Sequence, residues 1–203
     1  RILDDVPRAM DKHDPTDLMS LERYARERPA FRARVMEHKR DRKLAIGPNV
    51  TWSFEDRLTM QYQVQEMLRA ERIFEPEGIA EELEAYNPLI PDGSNWKATL
   101  LIEFPDVAER QRELTQLIGL EDRCWVQVHG HGRVYAIADE DLERETAEKT
   151  SAVHFLRFEL PPAMISALKS GAALAAGVDH DRYRHSIDPV AEPARAALAA
   201  DFD

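Results

Sequence analysis

The sequence predicts an α+β protein in which N-terminal helices pack on a mainly antiparallel sheet of about four strands. Three observations predict it. Apolar residues recur at helical spacing between residues 16 and 86. Four later segments are rich in β-branched and aromatic residues, and the last of them alternates. These segments mostly follow one another in the chain, and a glycine turn joins the second to the third, as in antiparallel hairpins.

Residues 1–15 are polar and proline-punctuated, and are expected to form a flexible arm. A single domain over 16–186 and an Ala- and Pro-rich tail over 187–203 should follow. Thr16 or Asp17 opens the first helix, where Leu18, Leu21, Tyr24 and Ala25 repeat at helical spacing. Pro29 lacks the N–H that a helix interior needs, so a break is expected there, with a second helix over 30–40. Gly47-Pro48-Asn49 marks a turn before a short extended piece. Ser53, three residues before Asp56, reads as the N-cap of the strongest helix, over 54–74. Its apolar positions, among them Leu58, Val64 and Leu68, make a wide surface.

Pro76-Glu77-Gly78 ends that helix, and a short acidic helix over 79–86 and a turn-rich loop over 87–95 come next. Strands are expected at 96–104, 124–128, 133–138 and 151–160. An amphipathic helix over 105–118 separates the first two, and a charged helix or loop over 139–149 precedes the last. Residues 161–170 open with proline at a first helical turn, and the tail is either a docked helix or disordered.

Composition removes several function classes. With 43% hydrophobic residues, 203 residues can bury a core without disulfides. Lys and Arg number 27 against 38 Asp and Glu, and a net charge of -11 suits nucleic-acid phosphates poorly. The one basic run, residues 32–43, reads as a solvated helix end, with an anion or acidic-partner patch as the alternative. Cys124 is the single cysteine, so this chain alone builds no disulfide, CxxC motif, zinc–thiolate site or iron–sulfur site. Its place before Trp125-Val126-Gln127-Val128 reads as a buried, inert thiol. No apolar run approaches 18 residues, no secretory signal is visible, and the expected compartment is the cytoplasm. Walker loops, dinucleotide-binding glycine fingerprints and serine-hydrolase elbows are missing as well.

Ligand-type residues concentrate in Asp179-His180-Asp181-Arg182-Tyr183-Arg184-His185. His180 and His185, with Asp179 or Asp181, offer a mixed nitrogen/oxygen set suited to one divalent ion of iron, manganese or zinc. Arg182, Tyr183 and Arg184 suit an anion equally well, and an ion-paired surface is the third reading. The sequence leaves all three open.

Alternation in the last strand puts His154 on one face with Ala152, Leu156, Phe158 and Leu160, as a core histidine held by a hydrogen bond. Arg157 and Glu159 fall on the other face, where Glu103 is the expected cross-strand partner of Arg157. Glu66, four residues after Tyr62 on the 54–74 helix, joins Arg157 and Tyr183 as a candidate to hold a ligand. That helix contains no histidine, which argues against a ferritin-like di-iron site. His129 and His131 flank Gly130 in the hairpin turn, where exposure is the commoner outcome and chelation the alternative.

The string Phe54-Glu55-Asp56-Arg57-Leu58-Thr59-Met60-Gln61-Tyr62-Gln63-Val64-Gln65-Glu66-Met67-Leu68-Arg69 resembles a bacterial family known as domain of unknown function 3501. The likeness extends through Tyr86-Asn87-Pro88-Leu89-Ile90-Pro91, Asn95-Trp96-Lys97-Ala98-Thr99, and residues 149–158. It continues in Asp179-His180 with Tyr183 and His185, and spans roughly residues 18–190. The resemblance implies a partner, an iron–sulfur oxidoreductase or rubrerythrin-like protein, and with it an accessory or binding role in peroxide detoxification. A metal-dependent enzyme using the C-terminal His/Asp cluster and a small-anion binding module are the two alternatives.

Overall fold

The computed structural model describes residues 11–202, and most of the expected N-terminal arm lies outside them. The described chain divides into a helical unit, up to Arg40 and over Glu55–Gly93, and a sheet unit, over Asp41–Phe54 and from Ser94 onward.

The helical unit comprises α1 (Leu21–Arg40), α2 (Arg57–Glu71) and α3 (Pro76–Tyr86). The break expected at Pro29 does not occur, because α1 runs through it. Tyr24, Phe31 and Val35 lie on one stripe on either side of the proline and are all buried. The Tyr24 and Phe31 rings meet edge-on at 6.0 Å, and Leu58 and Tyr62 pack against the cluster. Tertiary packing of one face, more than propensity, sustains a helix. Pro29 itself is exposed, so the carbonyl it leaves without an intrahelical donor lies on the solvent side.

The cap of α2 is Asp56, not Ser53. Asp56 Oδ1 accepts from the Thr59 N–H at 2.9 Å, and Thr59 Oγ1 accepts from the Asp56 N–H at 2.9 Å. Ser53 belongs to a strand. Pro76 sits in the first turn of α3, where its missing N–H costs nothing, so it starts this helix. Val64, Leu68 and Leu83 close the unit's second apolar cluster between α2 and α3.

Among the described residues, the sheet unit holds nine strands in two antiparallel sheets, where one sheet of about four strands was expected. The strands are β1 (Lys43–Ile46), β2 (Val50–Phe54), β3 (Asn95–Ile102), β4 (Cys124–Val128) and β5 (Val134–Tyr135). They continue with β6 (Ile137–Ala138), β7 (Val153–Glu159), β8 (Leu174–His180) and β9 (Tyr183–Ile187). Three helices accompany them: α4 (Val107–Gln116), α5 (Pro162–Lys169) and α6 (Ala194–Ala199). The first sheet has the order β1-β2-β3-β7-β6, and the second β5-β4-β8-β9.

Two features account for the difference. The single strand expected over 133–138 divides at Ala136, so that β5 pairs with β4 and β6 pairs with β7. The Ala- and Gly-rich stretch before residue 180 is β8, an inner strand, because Ala175, Ala176 and Gly177 fit where larger side chains would collide. A Cβ on Gly177 would lie 2.5 Å from Trp125 Cζ2. Intrinsic strand preference is weak for these residues, and packing overrides it.

The inner faces of the two sheets share one apolar cluster around Trp52, Phe54, Trp96 and Phe158. Ring centroids there are 5.2 Å apart for Trp52–Phe158 and 5.8 Å for Phe54–Trp96. The C-terminal tail is docked on this core. Trp96 Nε1 donates to the Leu198 carbonyl at 2.9 Å, and the Phe202 ring lies 5.0 Å from Trp96. Arg42 and Asp201 form a buried bidentate pair at 2.9 and 2.6 Å. No described helix is long and apolar enough to cross a membrane.

Two stability outcomes follow from this packing. Phe202→Ala should cost about 3–5 kcal/mol in chemical denaturation, because the buried ring leaves a cavity against Trp96. Pro29→Ala should raise stability, by up to about 3 kcal/mol, by restoring one helical hydrogen bond at an exposed site.

Candidate metal centre

The side chains of β7 alternate between interior and partly exposed positions, as the sequence pattern requires. His154 is completely buried on the interior face and is held by hydrogen bonds. Its partners come from outside the strand. Beyond the Ala138↔Leu156 pair, the Asp139 N–H donates to the Phe155 carbonyl at 2.8 Å. The Phe155 N–H donates back to Asp139 Oδ1 at 2.9 Å. Asp139 adopts a left-handed φ of 51°, a conformation that Asp tolerates better than most residues. This fixes Asp139 Oδ2 at 2.6 Å from His154 Nδ1. A carboxylate only accepts, so the Nδ1 proton points at Asp139.

The other ring nitrogen faces a group of oxygens. Nε2 lies 2.8 Å from Thr150 Oγ1, 3.0 Å from the Ser151 carbonyl oxygen and 3.8 Å from Glu121 Oε2. Glu121 stands in the 3-10 turn Glu121–Arg123 that leads into β4. It is buried, and its Oε2 has no hydrogen-bond partner among the described residues. Burial pushes the Glu121 carboxyl up to about 7, Glu145 adds to the rise, and His154 opposes it. Glu145 is anchored by the Gly119 N–H at 2.9 Å. Arg144 pairs within this loop: Nη1 reaches Asp139 Oδ1 at 3.2 Å and Asp141 Oδ1 at 2.5 Å. Its guanidinium stacks 4.5 Å from the Phe155 ring centroid.

Above this group opens a cavity of about 390 Å³, lined by Glu121, Asp122 and residues 138–145, which contribute seven carboxyl groups and one guanidinium. Glu121, Asp139 and His154 each present one ligand-type atom within 4.8 Å of the others. The chemistry is that of a carboxylate–histidine pair whose second nitrogen, beside the Thr150 hydroxyl, also faces a second carboxylate. Metal–ligand distances of about 2.0–2.2 Å allow one ion to bridge donors 3.8 Å apart.

The residues singled out from the sequence have other environments. His180 Nε2 contacts the Ile118 carbonyl oxygen at 2.9 Å, and His180 Nδ1 accepts from the Arg182 N–H at 3.1 Å, so both ring nitrogens have partners. The 179–185 cluster is a β-hairpin, with Asp179 opposite Arg184 and Val178 opposite His185. Asp181 projects into solvent and pairs with Arg184 Nη2 at 3.2 Å. His185 packs on the Tyr183 ring at 4.5 Å. Tyr183 is buried; its hydroxyl donates to the Ile46 carbonyl at 2.5 Å and accepts from the Asn49 N–H at 3.0 Å. Gly47, at φ 73°, lets that turn approach: a Cβ there would meet the His185 ring at 2.5 Å. The Arg182 side chain is exposed.

Arg157 pairs with Glu140 and Glu159, and the expected partner Glu103 instead hydrogen-bonds Thr51. The register places Lys97 and Ile137 beside Arg157, so its carboxylate partners are Glu159 on its own strand and Glu140 just past β6. Glu66 belongs to the helical unit, where Arg28 holds it bidentately at 2.7 and 2.9 Å and Tyr24 donates to it at 2.6 Å. These contacts, Arg28 first, hold its carboxyl down at about 2. His129 is exposed in its turn. Cys124 is fully buried with its thiol raised by burial, an inert packing residue.

The arrangement is an α+β protein with a buried His–carboxylate centre beneath an acidic cavity. Residues 13–202 match the family described as Protein of unknown function (DUF3501), and the chain belongs to that family. A crystal structure of a novel protein of unknown function from Burkholderia pseudomallei K96243 is similar throughout, with a TM-score of 0.91 at 49% identity. The match covers 95% of this chain and 100% of that one. Comparison with curated proteins gives no match.

A carboxyl raised above its ordinary 4.5 favours the protonated folded state, so its contribution is full below about pH 4.5 and lost as pH rises through about 7. In metal-free protein, the stability of Glu121→Gln relative to the parent should therefore increase across that window. Urea midpoints measured at several pH values test this, and a pH-independent difference would contradict the assignment.

Proposed function

We propose that this protein binds a single divalent transition-metal ion through His154 Nε2 and the Glu121 carboxylate. One observation carries the reading: the buried, unpartnered Glu121 Oε2 lies 3.8 Å from the outward nitrogen of an imidazole whose other nitrogen is fixed by Asp139. Metal-ligating histidines generally donate their second N–H to a carboxylate, which fixes the tautomer and orients the ring. Asp139 fills that role here. Thr150 Oγ1 and the Ser151 carbonyl offer further oxygen donors, and one nitrogen among oxygens suits manganese, iron or zinc better than magnesium.

The acidic cavity supports the same reading in two ways. Its carboxylates raise the local concentration of cations, and its volume leaves room for water or a small ligand on the open side of the ion. The cluster at residues 179–185 is not needed for this site. The iron–sulfur or rubrerythrin-like partner implied by the family resemblance is not part of this reading.

Elemental analysis of full-length protein, purified without chelator and then exposed to manganese, iron or zinc and desalted, tests it. About one equivalent of metal is expected in the parent and in His180→Ala/His185→Ala, with loss in Glu121→Gln and His154→Ala. Glu121→Gln preserves the shape of the site, so a folded Gln variant that keeps its metal would overturn the assignment.

A further inference from the structure

We infer that the outer face of the second sheet carries a separate site for the phosphate-type oxyanion of a small molecule, built on Trp125, Arg133 and Arg184. Trp125 pairs with Gly177 across β4 and β8, and the absent side chain at Gly177 lets the indole lie flat over the neighbouring strand. The Arg133 guanidinium stacks on that indole, 3.9 Å from the ring centroid. Stacking of this kind holds a guanidinium in place while its in-plane N–H groups remain available to a ligand.

Three guanidiniums converge on one carboxylate. Arg184 Nε, Arg123 Nη2 and Arg133 Nη1 lie 3.4, 3.7 and 3.8 Å from Asp179. All three separations exceed ordinary hydrogen-bond length, so the charges are gathered there without their donors being used up on Asp179. Arg133 makes no hydrogen bond among the described residues. Arg123 donates through Nε to the Asp179 carbonyl at 3.0 Å, and Arg184 also reaches Asp181. Three guanidiniums against the two carboxylates Asp179 and Asp181 leave a positive surplus, on a chain whose net charge is -11. The exposed Arg182 on the hairpin turn increases it.

Trp125, Arg133, Asp179 and Arg184 border a cavity of about 360 Å³, which Ser186 and His185 also line. That volume falls within the range of small-ligand pockets, about 300–1,000 Å³. A tetrahedral oxyanion placed between Arg133 and Arg184 would meet planar donors from both, the geometry that guanidinium groups recognise best. Asp179 then acts as the residue that offsets part of the positive charge of the empty site and that the ligand must displace electrostatically.

Titration of the full-length protein with inorganic phosphate, followed by tryptophan fluorescence at fixed ionic strength, tests this site. Trp52 and Trp96 belong to the core cluster and Trp125 lines the cavity, so a phosphate-dependent change in the signal reports mainly Trp125. Phosphate should give a saturable change that chloride at matched ionic strength does not. Arg133→Met/Arg184→Met, which keeps the indole covered, should weaken binding at least about tenfold, as loss of two charge-assisted contacts implies. Asp179→Asn should tighten it severalfold, whereas a cation site at the same place would respond in the opposite direction. An identical chloride response, undiminished binding in the arginine variant, or unchanged or weaker binding in Asp179→Asn would each overturn the inference.

Discussion

An imidazole removed entirely from water must be supplied with partners, and much of the sheet unit is arranged around that demand. His154 sits at zero exposure in the middle of an antiparallel sheet, beside Leu100 on β3. Leaving its nitrogens unpaired there would cost on the order of 1–3 kcal/mol each. Asp139 satisfies one nitrogen, but only because β6 pairs with β7 and the chain then turns through a left-handed residue. The Thr150 hydroxyl satisfies the other from the far end of the same loop, where the Ser151 carbonyl also lies close. A loop of mainly charged residues is thereby pinned at both ends to one buried ring. Glu121 is the member that this arrangement leaves incompletely satisfied, and that is what turns a structural histidine into a candidate centre.

The sheet unit separates its charges by place. Carboxylates crowd the loop after β6, whereas guanidiniums gather on the outer face of β4, β8 and β9. Neither patch needs the net charge of the chain to explain it. Each is positioned by backbone pairing, and each has a residue of opposite charge lining its cavity, Arg144 in the acidic one and Asp179 in the basic one. Opposite charges placed in this way limit self-repulsion while leaving a surplus for a ligand of the complementary sign.

Much of this was legible in the sequence, and the failures have physical causes. The alternation of β7, the buried thiol of Cys124 and the α+β class follow from periodicity, which reports which face is covered. Pro29 misled because local backbone chemistry argues for a break, while Tyr24, Phe31 and Val35 bury a continuous stripe. β8 escaped notice because alanine and glycine carry little strand preference, and their fitness for an inner strand depends on Trp125 lying across them. Clustering of His, Asp and Arg over residues 179–185 offered a metal and an anion reading; the hairpin spreads these neighbours over two faces and satisfies His180 locally, while Asp179 and Arg184 line a cavity with Trp125. The centre at His154 was half visible: the histidine was placed inside, but its partners lie 15 and 33 residues away in sequence, at Asp139 and Glu121. The single helpful clue, an acidic run just before the strand that carries a buried histidine, reads equally well as a solvated loop.

The passage of the chain from β5 into β6 across Ala136 ties these features together. Arg133 stands at one end of this extended stretch and Asp139 at the other, so a single length of backbone presents a cation to Trp125 and an anion to His154. Extended residues turn their side chains by half a revolution at each step. A slip of one position along this crossing would therefore withdraw both side chains at once. The two candidate sites, though opposite in charge, have a common alignment, and insertions or deletions between residues 133 and 139 would be felt in both.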